Sequence, residues 1–117
     1  MSDLVSVASA LKNIGRKDLG LKVLNLFSKN IMYLYHYEQL SQSYFAYHDY
    51  DKAIHYLEKA LALSPDPKSS YLYRMGLAKL YVCINKPTLA LIYIDYNEKM
   101  RRTQELSVLR SQAESLL

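Results

Sequence analysis

From Asp49 to Leu63 the apolar and polar positions alternate with the period of an α-helix. Ala53, Ile54, Leu57, Ala60 and Leu61 recur three to four apart, and Asp51, Lys52, Glu58 and Lys59 take the other side. The stretch SPDPKSS that follows carries two prolines and stops this helix. Ser69 or Ser70 is placed to cap the next one, whose apolar residues include Tyr73, Leu77, Ala78, Leu80 and Tyr81. That helix is expected to end in CINKPT. Asn85 tolerates the left-handed conformation at a helix end, and Pro87 suits the first turn of a further helix to about Lys99.

The start of the chain keeps the same rhythm. Leu4, Val7, Ala8 and Leu11 form a helical stripe, Gly15 breaks it, and Asp18 can open a second helix carrying Leu21, Leu24 and Phe27. At the other end Leu106, Leu109, Ala113 and Leu116 form an apolar line at heptad-like spacing, the mark of a closing helix over one end of the core. Residues 33–40, YLYHYEQL, are the discordant segment. Tyr33, Tyr35 and Tyr37 alternate with Leu34 and His36, a strand's period in strand-favouring residues. A lone strand among helices would leave its backbone polar groups unpaired. As a helix, the segment places Tyr37, Leu40 and Tyr44 on one face, so a helix is the expectation.

Composition supports an all-α fold. The chain has 117 residues, half of them hydrophobic, with only 3 Gly and 3 Pro, too little punctuation for an all-β protein. Its length suits one domain with a real core. The net charge of +4 arises from 15 basic and 11 acidic residues, mostly interleaved rather than gathered in the dense stripe of a dedicated nucleic-acid protein. Cys83 is the only cysteine, so no disulfide framework forms, in keeping with a reducing compartment. MSDLVSVASALKNIGRK places Asp3 early and no basic leader before its apolar part, unlike a signal peptide. No apolar run reaches the roughly 18 residues of a membrane span. A cytoplasmic protein is expected.

The helices recur as pairs, with a period of about 34 residues. In the middle unit Tyr37, Leu40-Ser41 and Tyr44 are followed by Ala53, Leu57, Ala60 and Pro65. This resembles the tetratricopeptide repeat, in which a leading Trp, a Leu-Gly pair and a Tyr precede Ala, Phe, Ala and Pro. Tyr37 stands in the Trp place, Ser41 in the Gly place and Leu57 in the Phe place. The first unit follows the same frame through Leu4, Val7-Ala8, Leu11, Gly20, Leu24 and Phe27, with Met32 in place of the closing proline. The third, after three extra loop residues, follows it through Leu77-Ala78, Tyr81, Ala90 and Ile94, with Arg74 in the aromatic place and Asn97 in the last small place. The resemblance covers about residues 1–100. It implies an α-solenoid of three antiparallel helix pairs in a right-handed superhelix, with repeats at about 1–33, 34–70 and 71–102. A capping helix at about 103–117 completes a single domain. The small residues Ala8, Gly20, Ser41, Ala53, Ala60, Ala78 and Ala90 stand where paired helices must cross at about 8–10 Å.

In such a stack the first helix of each pair lines a concave wall. The residues expected there are Val5, Ser9 and Lys12, then Tyr35, Glu38, Gln42 and Phe45, then Leu72, Met75, Lys79 and Val82. Tyrosine gives large contact area at low entropy cost and methionine adapts its shape, so the wall suits a protein or peptide segment with apolar anchors. Some of these residues could instead pack against the terminal helix or a second copy of the chain. Members of the family that grip a terminal carboxylate do so with Lys, Asn and Arg. Here Val5, Ser9, Gln39, Leu72 and Gly76 hold those places, and only Gln39 suits the task, so that clamp is not expected. Gly76 in mid-helix costs about 1 kcal/mol against Ala. Close approach of a bound chain or tight packing on a neighbouring helix would account for it, packing being slightly preferred.

No catalytic constellation emerges, and no cofactor is expected. His36, His48 and His55 are spaced twelve and seven apart, unlike metal ligands on one helical face, and are expected to be exposed or in turns. Cys83 lacks an evident base partner and is expected as a packed thiol. Asp49 and Asp51 suit a helix start. The leading reading is a non-catalytic adaptor or chaperone. Its size resembles the small cytoplasmic chaperones of bacterial type III secretion, which implies a hold on a secreted subunit. A self-associating scaffold is the alternative. RNA binding would rest on tyrosines beside Lys12, Arg16, Lys17, Arg101 and Arg102, which lie at turns and the far end rather than along the wall.

Overall fold

The computed structural model describes residues 9–28 and 34–117, and every regular element among them is a helix. Residues 9–13 are helical, and six further helices follow among the described residues. These are α1 (Lys17–Ser28), α2 (Leu34–Ala46), α3 (Tyr50–Ala62), α4 (Pro67–Cys83), α5 (Pro87–Met100) and α6 (Gln104–Glu114). The chain divides into two compact units, Met1–Ala60 and Leu61–Leu117. From Leu34 onward the tyrosine run is helical, as patterning against an isolated strand requires. Tyr33 lies outside the described residues, as do Leu4, Val7 and Ala8.

The turn inside each helix pair is the same structure three times. Gly15, His48 and Asn85, 33 and 37 residues apart, take left-handed φ values of 85°, 63° and 59°. The residue after each sends its N–H back over the end of the preceding helix. Arg16 donates to the Leu11 carbonyl at 2.7 Å, Asp49 to Tyr44 at 3.0 Å and Lys86 to Tyr81 at 2.8 Å. The left-handed residues themselves donate to Lys12, Phe45 and Val82. These two bonds together make a Schellman cap, which satisfies carbonyls a helix end leaves orphaned. Glycine adopts it without strain, while Asn and His are among the side chains that tolerate it best.

In the first unit Leu24, Leu40, Tyr44, Ala53 and Ala60 are fully buried. The buried face of α2 runs His36, Leu40 and Ser43-Tyr44, at helical spacing, and Tyr47 just past its end is buried too. His36 is therefore buried, against the expectation of an exposed or turn histidine, while His48 and His55 are exposed. The Ser41 hydroxyl donates to the Ala53 carbonyl at 2.7 Å, so the two helices touch side chain to backbone where only small residues fit. Tyr44 stacks on Tyr56 at 5.7 Å and 9°, and its hydroxyl donates to Asn25 Oδ1 of α1 at 2.9 Å. Lys52 of α3 reaches the same oxygen at 3.5 Å and lies 5.1 Å from the Tyr44 ring centre. One amide oxygen thus ties three helices together.

The second unit repeats this arrangement 37 residues on. Leu77, Ala78, Tyr81, Ala90 and Ile94 are buried where Leu40, Ser41, Tyr44, Ala53 and Leu57 are buried in the first. Tyr81 stacks on Tyr93 at 6.1 Å and 10°. The helix start differs in detail from the serine cap expected. Asp66 caps α4, accepting the Ser69 N–H at 2.7 Å, and Pro67 occupies the first helical position. Asp is the stronger cap and Pro is pre-set for that place, so the helix begins earlier. Ser70 instead bonds the Ser64 hydroxyl and the Asp66 carbonyl. Thr103 caps α6, which packs on α4 and α5 through Leu106, Leu109 and Ala113. Leu116 lies past the end of α6 and is exposed. Cys83, the last residue of α4, is exposed rather than packed.

Two outcomes are expected from this packing. Ala53→Leu forces apart the α2–α3 crossing and lowers stability by about 1–3 kcal/mol in thermal or urea melting. An unchanged midpoint contradicts the crossing. Burial, with Tyr56 and Asp49 nearby, pushes the Tyr44 phenol up to about 12. Its ionisation in the unfolded chain starts near the ordinary value of about 10, so this contribution is intact below that pH and is lost as pH rises through the folded value. Melting of wild type and Tyr44→Phe across that range shows a smaller alkaline loss in the variant.

Candidate functional site

The residues expected to form a binding wall lie on the first helix of each pair. Within the first unit, Glu38, Gln42 and Phe45 follow one another at helical spacing on α2, Glu38 half-buried and the other two exposed. The Phe45 ring leans on Tyr50 at 5.7 Å. Ser9 is exposed and Lys12 half-buried in the helical segment before Gly15. Val5 and the side chain of Tyr35 lie outside the described residues.

Within the second unit, Leu72, Met75 and Lys79 come together on α4. With Tyr71 and Gly76 they form one side of a cleft of about 380 Å³, and Arg101, Thr103 and Glu105 close the other. Met75 is buried and makes the floor, while Leu72 is 59% exposed at the mouth. Val82 is half-buried further along α4 and is not among the lining residues. Gly76 lies in the wall of this cleft. Lys79 pairs with Glu105 at 2.5 Å. A second cleft, of about 270 Å³, shares Tyr71, Leu72 and Arg101 and adds Pro67, Lys68 and Met100.

The wall behind these clefts is held by a buried polar pair at the aromatic and last small places of the pattern. Arg74 Nε donates to Asn97 Oδ1 at 2.7 Å, and Asn97 Nδ2 donates to the Tyr71 carbonyl at 3.0 Å. Both side chains are buried. The Arg74 guanidinium also contacts Met100 Sδ at 2.9 Å and lies 4.1 Å from the Tyr96 ring centre. In the first unit the equivalent places hold Tyr37 and Lys59, with the Lys59 ammonium 5.6 Å from the Tyr37 ring centre. The cation–π contact is kept and its two partners are exchanged. Tyr71, fixed through its carbonyl, donates its hydroxyl to the Arg101 carbonyl at 3.3 Å, which ties the link between α5 and α6 across the mouth. A polar substitution at two positions 23 residues apart was the available signal.

No group of three or more His, Cys, Asp or Glu side chains among the described residues could hold a metal ion. No helix among them is long and apolar enough to cross a membrane.

Residues 37–67 match the family model of the tetratricopeptide repeat. The match spans α2, α3 and the loop into α4, the helix pair whose crossing carries Ser41 and Ala53. Proteins built on this repeat serve in general as protein-interaction modules. No curated protein and no solved structure matches the chain significantly.

The exchange at Arg74 and Asn97 has a measurable consequence. Arg74→Tyr strands the Asn97 amide, and Asn97→Ala strands the guanidinium, so each lowers stability by about 1–3 kcal/mol. The double variant restores the residue types of Tyr37 and Ala60 and recovers most of the loss. A double-mutant cycle in urea shows the coupling, and strictly additive losses contradict it.

Proposed function

We propose that this chain is a non-catalytic tetratricopeptide-repeat module of three units and a closing helix, and that it holds a segment of a partner protein. The observation that carries this reading is the identical left-handed turn at Gly15, His48 and Asn85. Two of the three turns lie outside the segment that matches the family, which supports reading the repeat beyond it. The surfaces on offer are Ser9 and Lys12 before the first turn, Glu38, Gln42 and Phe45 on α2, and Leu72, Met75 and Lys79 on α4 with Val82 beyond them. Val5 and Tyr35 belong to the same series by register. Exposed apolar and aromatic anchors beside a few polar groups suit a peptide more than a small metabolite. A chaperone that shields a secreted subunit is the form the chain's length fits, and an adaptor uses the same surface.

Self-association is the second reading, favoured by one observation. Leu89, Ile92 and Tyr96 are exposed at helical spacing on α5, at the places where α3 carries Lys52, His55 and Lys59. Tyr96 has its contact with Arg74, but at Leu89 and Ile92 a monomer gains nothing from the change from polar to apolar.

Panning a displayed random-peptide library against the full chain tests the first reading. Captured peptides carry apolar anchors and lose about tenfold in affinity on Gln42→Ala with Phe45→Ala, or on Leu72→Glu. A library that yields no binder, or binders indifferent to all three changes, defeats it. Light scattering across concentration tests the second, with a mass that rises in the wild type and stays monomeric in Ile92→Lys.

A further inference from the structure

The charge around the two clefts of the second unit points to one kind of segment. The side chains lining them include three cations, Lys68, Lys79 and Arg101, against the single carboxylate of Glu105. Glu105 is taken up by Lys79 at 2.5 Å. Lys68 and Arg101 remain exposed on the rim, and Arg102 stands exposed beside them. Asp66, the nearest acid to Lys68 in sequence, caps α4 and also feels the Lys68 charge, which leaves Arg101 the stronger attraction for an incoming carboxylate. Between the cations the surface is apolar, with Leu72 and Met100 both exposed.

We propose that these paired clefts take apolar side chains from an acidic segment of a partner protein, whose carboxylates meet Lys68 and Arg101. The proposal rests on the interaction-module reading and adds the partner's chemistry to it. Volumes of about 380 and 270 Å³ lie at the small end of ligand pockets and are ample for single apolar side chains. Arg101 presents a planar fork that matches a carboxylate. The Arg101 backbone is held by the Tyr71 hydroxyl, so the fork starts from a fixed point. An extended segment places every second side chain on one side, which lets two anchors enter while the acids between and beside them face the rim. Nucleic acid fits less well, because Tyr71 is the one aromatic ring among the residues lining the clefts, and bases stack on a succession of such rings.

Fluorescence anisotropy with four labelled probes decides the matter on the full chain. The first is an acidic peptide with two leucines two residues apart. The second has serines for the leucines, the third lysines for the acids, and the fourth is a single-stranded oligouridine. The first is expected to bind best. Leu72→Glu and Arg101→Glu should each weaken it about tenfold, and added salt should weaken it further. Both substituted residues are exposed, so the variants should fold, and their melting curves confirm it. Equal binding of the serine or lysine peptide overturns the proposal, as does a preference for oligouridine. Binding of the first peptide untouched by either substitution also overturns it. If Gln42→Ala with Phe45→Ala then abolishes that binding, the module reading stands and only this surface is excluded. If no probe binds, this partner chemistry fails, while the library result still judges the module.

Discussion

The close crossing of the two helices within each pair is the constraint on which the rest depends. At Ser41 the side-chain hydroxyl donates to the Ala53 carbonyl at 2.7 Å and both residues are buried, so a larger side chain at either place has to push the helices apart. Two helices that close cannot both carry bulk at the crossing, so the large residues move to the positions beside it. Leu40, Tyr44 and Leu57 fill them in one unit, and Leu77, Tyr81 and Ile94 in the other. The tight turn follows from the same demand. Antiparallel helices held together need a short, sharp connection, and the left-handed residue at Gly15, His48 or Asn85 supplies it. Each of these choices is local, and they agree with one another, which is how a short sequence specifies one packing.

Once the crossing is fixed, the surrounding positions are free to vary in chemistry if they vary together. The Tyr37–Lys59 contact becomes Arg74–Tyr96, with cation and ring exchanged between helices. A buried arginine needs its donors answered, and Asn97 answers one of them where the equivalent residue is the apolar Ala60. Asn97 then passes the constraint on, through its amide, to the Tyr71 carbonyl. A polar residue in the core is costly when alone and tolerable when its partners are complete. Here the same set also ties the Tyr71 carbonyl, on the strip of α4 that faces the clefts, to α5.

Most of the fold was legible because helical patterning reports burial directly. The period of Ala53, Leu57 and Ala60 and the small residues at crossings translate without ambiguity into buried faces. Residues 33–40 misled only on the surface, since tyrosine is stable on several faces of a helix if one finds a ring to stack on, as Tyr37 does with Tyr56 at 6.2 Å. What was not legible depends on competition between neighbours. Asp66-Pro67 outranked Ser69 and Ser70 as a helix start because a carboxylate accepts a backbone N–H more strongly than a hydroxyl does. His36 is buried because its place four residues before Leu40 decides its face, whatever the polarity of its ring. Cys83 is exposed because α4 ends on it. Of the site, the members Leu72, Met75 and Lys79 were readable from register. Arg101 and Thr103 were not, because they come from an irregular link whose course depends on a tyrosine hydroxyl 30 residues away.

That link explains why the clefts occur on α4 and its neighbours. Helix α6 starts at Gln104, capped by Thr103, and packs on both α4 and α5, as the first helix of a further pair would. Ahead of it, Arg101 is extended at φ −162° and ψ 124°, so the chain passes beside the N-terminal half of α4. Tyr71 holds it there, and Lys79 reaches Glu105 on the first turn of α6. These two ties bracket the wall at Leu72, Met75 and Gly76 from both ends without covering it. An apolar floor with its polar groups already matched at the margins resists collapse, because closing it would break both ties to bury little more than Leu72. The hollow thus follows from the way the link before α6 is tied to α4, and Lys68 and Arg101 stand exposed on its rim.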